Sequence, residues 1–171
     1  MMKLSSSIKQ QVIRKIPRNY QCALFDNSVK TPFLINDELM KRMDILQEQY
    51  SGDEAVSRGI FTYLCDSITY GFTHKSKGYG TSTEVWESKE GICGEMSFLY
   101  TTLARYCSIK SECVDVLKDR TGKKVRHMCS QVYVPHPVLV DISYKTYDIN
   151  HITVKPMQDV DVLRCFSTWR K

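Results

Sequence analysis

A chain of 171 residues, 42% hydrophobic and 25% charged, has the composition of a globular protein and the length to bury a core without staples. No run of about eighteen apolar residues occurs, which excludes a membrane-spanning helix. The net charge of +5 lies in residues 1–20, where Lys3, Lys9, Arg14, Lys15 and Arg18 meet no acid. Nucleic acid or an anionic membrane surface is therefore conceivable as a partner only through residues 1–20, and a solvated face is the ordinary reading of such an arm.

The seven cysteines, at 22, 65, 93, 107, 113, 129 and 165, include no CxxC pair. That spacing argues against zinc, and the odd, irregular count argues against a secreted disulfide framework. Reduced thiols and a cytoplasmic location are the expectation. Met1 to Ile16 fits it, having no apolar signal core and no small-residue cleavage site. No acidic loop shows calcium-ligand spacing, so no cofactor is expected.

In chain order, Ile8, Val12, Ile13 and Ile16 recur at helical spacing before Pro17, and residues 17–36 read as an irregular connection. The stripe Leu39, Met40, Met43, Leu46 and Tyr50 predicts a helix over 37–50, broken at Ser51-Gly52. Asp53 is placed as the cap of a second helix reaching about Tyr70. The glycine-containing segment 71–82 is predicted to be an exposed loop, with His74 solvated. Thr81 and Glu84 have capping-box spacing, which predicts a short helix over 84–89 ended by Gly91. Met96, Leu99, Tyr100, Leu103 and Cys107 then form a clean buried stripe on a helix starting near Cys93. The period changes after Ser108. Strands are predicted at 113–117, 127–134 and 138–144, a last strand at 151–155 and a terminal helix over 159–169. Helices first, one central helix, then an antiparallel meander make an α+β protein. A single domain over 1–171 is expected, with 1–36 an arm and 37–171 the core.

Cysteine is among the most buried residue types, so Cys93 alone would read as packing, as Cys65, Cys107, Cys113 and Cys165 do. Its position at the first turn of a helix changes this. Free amides and the positive end of the helix dipole favour a thiolate, and Gly91 and Gly94 let a carbonyl approach. A thiol nucleophile needs a base, and the base an orienter. His127 opens one strand, and Asp141 lies in the next, within the apolar run Val138-Leu139-Val140-Asp141-Ile142. A carboxylate buried there needs a partner. Counted from His136, however, His127 lies nine positions before the turn and Asp141 five after, so a bulge or an offset is required to bring them together. His136 and His151 have no partner visible in the sequence.

The run Gly91-Ile92-Cys93-Gly94-Glu95-Met96-Ser97 resembles the nucleophile motif of the transglutaminase-like superfamily. Arg126-His127-Met128-Cys129-Ser130-Gln131-Val132-Tyr133 resembles its His strand, Val140-Asp141 its Asp strand, and Thr81-Ser82-Thr83-Glu84-Val85-Trp86 the lead-in to its Cys. The likeness extends from about Tyr63 to Tyr144, with the motifs in the family's order. Cys129 stands where the family often has an aromatic residue, and so does Pro-His-Pro-Val before the Asp strand.

The resemblance implies a papain-like core with Cys93, His127 and Asp141 catalytic. It also implies an upstream aromatic at the oxyanion hole: Tyr70, with Trp86 the other candidate although it is expected to pack in the core, while Cys129 either lines the cleft or fills the place of the family's aromatic. The implied chemistry is acyl transfer or hydrolysis at a protein or peptide amide through a thioester, as in transamidases, proteases or peptide:N-glycanases. A non-catalytic binding module on the same fold is the alternative.

Overall fold

The computed structural model describes residues 31–72 and 79–169. The basic arm with its expected amphipathic helix, Cys22 and His74 lie outside them.

Helix α1 (Asp37–Gln49) begins where Asn36 accepts the Leu39 N–H at 3.0 Å, and it buries Leu39, Met40, Met43 and Leu46. Helix α2 (Asp53–Ser67) is entered through Gly52 at φ 87°, a left-handed conformation that glycine adopts without strain. Asp53 is thus the first helical residue rather than the cap, its charge beside the positive end of the dipole. The helix ends three residues short of the expected Tyr70. There β-branched Ile68 and Thr69 turn extended, and strand β1 (Thr69–Tyr70) pairs in parallel with β2 (Glu90–Gly91).

Between them, α3 (Ser82–Ser88) carries the predicted capping box. Thr81 Oγ1 accepts the Glu84 N–H at 3.3 Å, and Glu84 Oε2 accepts the Thr81 N–H at 2.8 Å. Lys89, in the left-handed conformation, ends this helix, which frees Gly91 for β2.

Helix α4 (Cys93–Tyr106) is the centre of the molecule, buried from Gly94 to Tyr106. Its apolar stripe joins α1, α2 and the sheet in one core, and its polar residues are satisfied inside it. Thr101 Oγ1 meets Ser130 Oγ at 3.0 Å, and Thr102 donates to the Phe98 carbonyl at 2.7 Å.

The sheet contains β3 (Ser111–Lys118), β4 (Lys124–Tyr133), β5 (Pro137–Asp141), β6 (Thr146–Tyr147) and β7 (Thr153–Pro156). Its order is β6-β5-β4-β3-β7, all antiparallel. The meander is as expected, except that the last strand returns beside β3. Strand β5 stops at Asp141 rather than Tyr144. The Asp141 carboxylate accepts the Ser143 hydroxyl at 2.7 Å and the Tyr144 N–H at 3.0 Å, and this local turn competes with the ladder.

Helix α5 (Asp159–Trp169) inserts Phe166 edge-on to Phe98, with ring centres 5.9 Å apart. Asp159 accepts both Arg105 guanidinium nitrogens, at 2.9 and 2.6 Å, tying α5 to α4. No helix among the described residues is long and apolar enough to cross a membrane.

Candidate active site

Cys93 is the first residue of α4, directly after β2. The helical ladder opens at the Met96 N–H to Ile92 carbonyl bond of 2.9 Å, leaving the Cys93 and Gly94 amides outside it. The N-terminal turn is fixed by a residue that the motif contained without explanation. Glu95, buried, accepts the Ile92 N–H at 2.8 Å on one oxygen and the Gly80 N–H at 2.6 Å on the other. One carboxylate therefore closes the helix start and pins the segment ahead of α3 against it. Gly94 allows a close approach, since a Cβ there would lie 3.1 Å from the Tyr79 ring and that ring would have to give by a fraction of an ångström.

His127 and Asp141 meet without a bulge. In the β4–β5 register Ser130 faces Val140, so the hairpin centres on position 135 instead of 136. Asp141 continues that register opposite Cys129, and His127 lies two residues further along the strand. Diagonal neighbours at this spacing are within reach of long side chains. His127 Nε2 is 2.6 Å from Asp141 Oδ2, which leaves Nδ1 as the nitrogen open to Cys93, while His127 and Cys93 border the same cavities. Tyr144 stacks on the imidazole at 4.7 Å and 12°.

Burial works to lower the His127 pKa, but the Asp141 and Cys93 hydrogen bonds and charges outweigh it and raise the pKa to about 9. Asp141 is held below the usual carboxylate range despite burial, by His127, Ser143 and the Tyr144 amide. An imidazolium on a carboxylate is therefore the neutral-pH state beside the thiol.

A cavity of about 450 Å³ opens on one side of Cys93, lined by Tyr70, Val125, Arg126, His127, Ser143 and Tyr144. A second, of about 340 Å³, opens on the other side between Tyr79, Leu117, Met128, Met157 and Trp169. Cys93, Val125, Arg126 and His127 border both, so the thiol and imidazole stand at the middle of a cleft. A larger cavity of about 600 Å³ lies at the start of α2 beside Tyr133 and Pro135, where it meets no thiol or imidazole. Volume alone does not select the site.

The tentative cleft residues divide. Tyr70 lines the cleft and is 60% exposed. Trp86 does not: it is buried against Tyr63, ring centres 5.3 Å apart, because α3 turns that face into the core. Cys129 is likewise removed from the cleft. It is buried with Val114 and Val116 in a second apolar cluster, and burial pushes its thiol pKa up. Six free thiols are described: Cys65, Cys93, Cys107, Cys113, Cys129 and Cys165.

The residues missed by sequence reasoning are Glu95, Tyr144 and His151. His151 Nε2 lies 3.2 Å from the same Asp141 oxygen that His127 contacts. Among the described residues these two histidines and Asp141 are the potential metal-ligand group, with ligand atoms within 4.8 Å of one another. Both Nε2 atoms, however, contact one carboxylate oxygen at hydrogen-bond length, which is a proton-bridged arrangement rather than ligands spread around a common centre.

The fold and the motif order define a papain-like α+β core with the thiol at a helix start. The chain belongs to the transglutaminase-like superfamily, whose model matches residues 42–147. Among solved structures it is similar to a candidate cysteine protease from Cytophaga hutchinsonii. The TM-score is 0.58 at 13% identity, over 84% of this chain and 49% of that one. A candidate protease from Parabacteroides distasonis follows at TM-score 0.48 and 14% identity, over 67% of this chain and 28% of that one. Legionella pneumophila LapG, EGTA-treated, gives 0.47 and 11% identity, over 90% and 80%. The chain thus spans about half the length of the Cytophaga structure, and at such identity the likeness is one of fold. No curated protein sequence matches it.

Proposed function

We propose that this chain is a cysteine-dependent enzyme that hydrolyses a protein or peptide amide through a thioester on Cys93. The observation that carries the reading is that Cys93 and His127 border the same open cleft while His127 Nε2 lies 2.6 Å from Asp141. The Cys93 thiolate attacks the amide carbonyl carbon while the charge on oxygen is met by the Cys93 amide and the Tyr70 hydroxyl. His127, as imidazolium, gives its proton to the leaving amine as the C–N bond breaks. Neutral His127 then takes a proton from water as that water attacks the thioester. The acid departs, and the thiolate–imidazolium pair is restored. Asp141 keeps the imidazole oriented throughout.

Hydrolysis rather than transamidation is favoured by the description of the Cytophaga neighbour as a protease. Residues 37–171 would be the catalytic unit and 1–36 an appended arm. Six free thiols suit a reducing compartment such as the cytoplasm. The test is incubation with a cell lysate and a labelled amine, comparing wild type with Cys93→Ala. New peptide termini dependent on Cys93 support the proposal. Cys93-dependent amine incorporation replaces it with transamidation, and no Cys93-dependent product at all leaves the binding-module reading in its place.

A further inference from the structure

His151 has no role in the steps above, yet it occupies the most enclosed position of the site. Its side chain is 0% exposed, and that of Asp141 1%. The Asp141 carboxylate is fully subscribed. Oδ1 accepts from Ser143 and from the Tyr144 amide, while Oδ2 lies 2.6 Å from His127 Nε2 and 3.2 Å from His151 Nε2. The two imidazole rings stand edge to face, 5.6 Å apart, and Tyr144 packs against both.

The other ring nitrogen of His151, Nδ1, is buried without a hydrogen-bond partner. A carboxylate only accepts, so the proton of neutral His151 belongs on Nε2, and the bare Nδ1 lone pair is what remains unsatisfied. Burying an imidazole with one unpaired nitrogen carries a desolvation cost that a phenyl or leucyl side chain of similar reach would avoid. Packing therefore does not account for a histidine here, whereas the bond to Asp141 does.

We infer that His151 is a positioning residue for His127: donating to the same Asp141 oxygen, it shares the carboxylate and limits how tightly His127 holds its proton. The inference rests on the Cys93–His127–Asp141 reading. A hydrogen bond to one oxygen weakens a second bond to it, because each donor draws on the same negative charge. The charged and titratable groups facing His127 are Asp141 from β5, His151 before β7, Cys93 from α4, Tyr144 from the turn after β5, Tyr70 from β1 and its strand neighbour Arg126, with Asp115 from β3, Tyr79 and Cys165 from α5 on the second cavity that it borders. Of these, His151 is the one that competes directly for Oδ2.

The experiment is ¹⁵N NMR of the histidine rings in wild type, His151→Phe and His151→Gln, with the pH profile of Cys93 alkylation read alongside. In wild type, neutral His151 carries its proton on Nε2. In His151→Phe the His127 titration midpoint rises by about 0.5–1 pH unit, the size of one lost competing hydrogen bond, and the alkaline limb of alkylation moves with it. His151→Gln, whose amide N–H can reach Oδ2, returns the midpoint toward wild type. A purely structural role would instead lower the melting temperature of both variants and leave the midpoint in place, overturning the inference. A wild-type proton on Nδ1 also overturns it, and that measurement needs no variant to fold. Because ring titration requires no turnover, a chain inert toward amides but with the shifted midpoint sinks the catalytic reading alone.

Discussion

At the residue scale the central question is why one of several thiols should react. Burial pushes the Cys113 pKa up to about 12 and that of Cys65 up to about 11, and it raises Cys129 further, whereas Cys93 faces an imidazolium at a helix start. Limited iodoacetamide treatment at neutral pH is therefore expected to modify Cys93 roughly tenfold or more faster than Cys113 or Cys129, as read by mass spectrometry of the digest. Equal labelling would contradict the site. Asp141→Asn should lower kcat on a peptide amide by roughly 10²–10⁴-fold with KM little changed, since it disturbs the tautomer and orientation of His127 and not the cleft. The thiol itself was legible in the sequence through its glycines and the helix beneath it. His151 was not, because no spacing rule connects position 151 to position 141 across a turn and a short strand.

Elements are held together by two acids, the buried Glu95 and the partly buried Asp159. Glu95 satisfies two backbone donors at once, so Glu95→Ala should destabilise the fold by about 2–4 kcal/mol, measured by urea unfolding. Glu95→Gln should recover only part of this, because the amide nitrogen cannot accept. At the other end of α4, Arg105 is 1% exposed and held by Asp159 and by the Ser111 carbonyl at 2.9 Å. Asp159→Ala would leave that guanidinium buried without its carboxylate, for a loss of about 2–4 kcal/mol; a change below half a kcal/mol would show that the pair is dispensable. The capping box at Thr81 and Glu84 and the stripe from Met96 to Cys107 were plain in the sequence, being local periodicities. The two-residue parallel ladder of β1 with β2 was not, because the β-branched pair Ile68-Thr69 can end a helix but does not say which strand Thr69-Tyr70 will pair with.

At the scale of the whole molecule, stability and the proposed activity should share one titration. The folded His127 pKa of about 9 exceeds its ordinary value of 6.5, so its contribution is complete below 6.5 and is lost as pH rises through about 9. Asp141, shifted down, contributes above its ordinary value of 3.8 and loses this as the medium becomes more acid. The melting temperature should accordingly fall between pH 6.5 and 9, with a shallower fall in His127→Phe. An alkaline limb near pH 9 should appear in kcat/KM; a limb near 6.5 would mean that the pairing with Asp141 is absent in solution.

Taken by itself, the sequence determined the α+β order and the start of the central helix, and it singled out Cys93, His127 and Asp141 as candidates, because periodicity, caps and motif order are carried by neighbours along the chain. Tertiary structure decided the rest. The hairpin centre at position 135 turned an apparent mismatch into a diagonal contact. The turn at Ser143 and Tyr144 ended β5 on its carboxylate. Packing decided between core and cleft for Trp86 and Cys129, burying both, and brought His151 onto Asp141. Each of these depends on which strand lies beside which and at what register, a long-range choice made by burying the whole core at once rather than by any short run of residues.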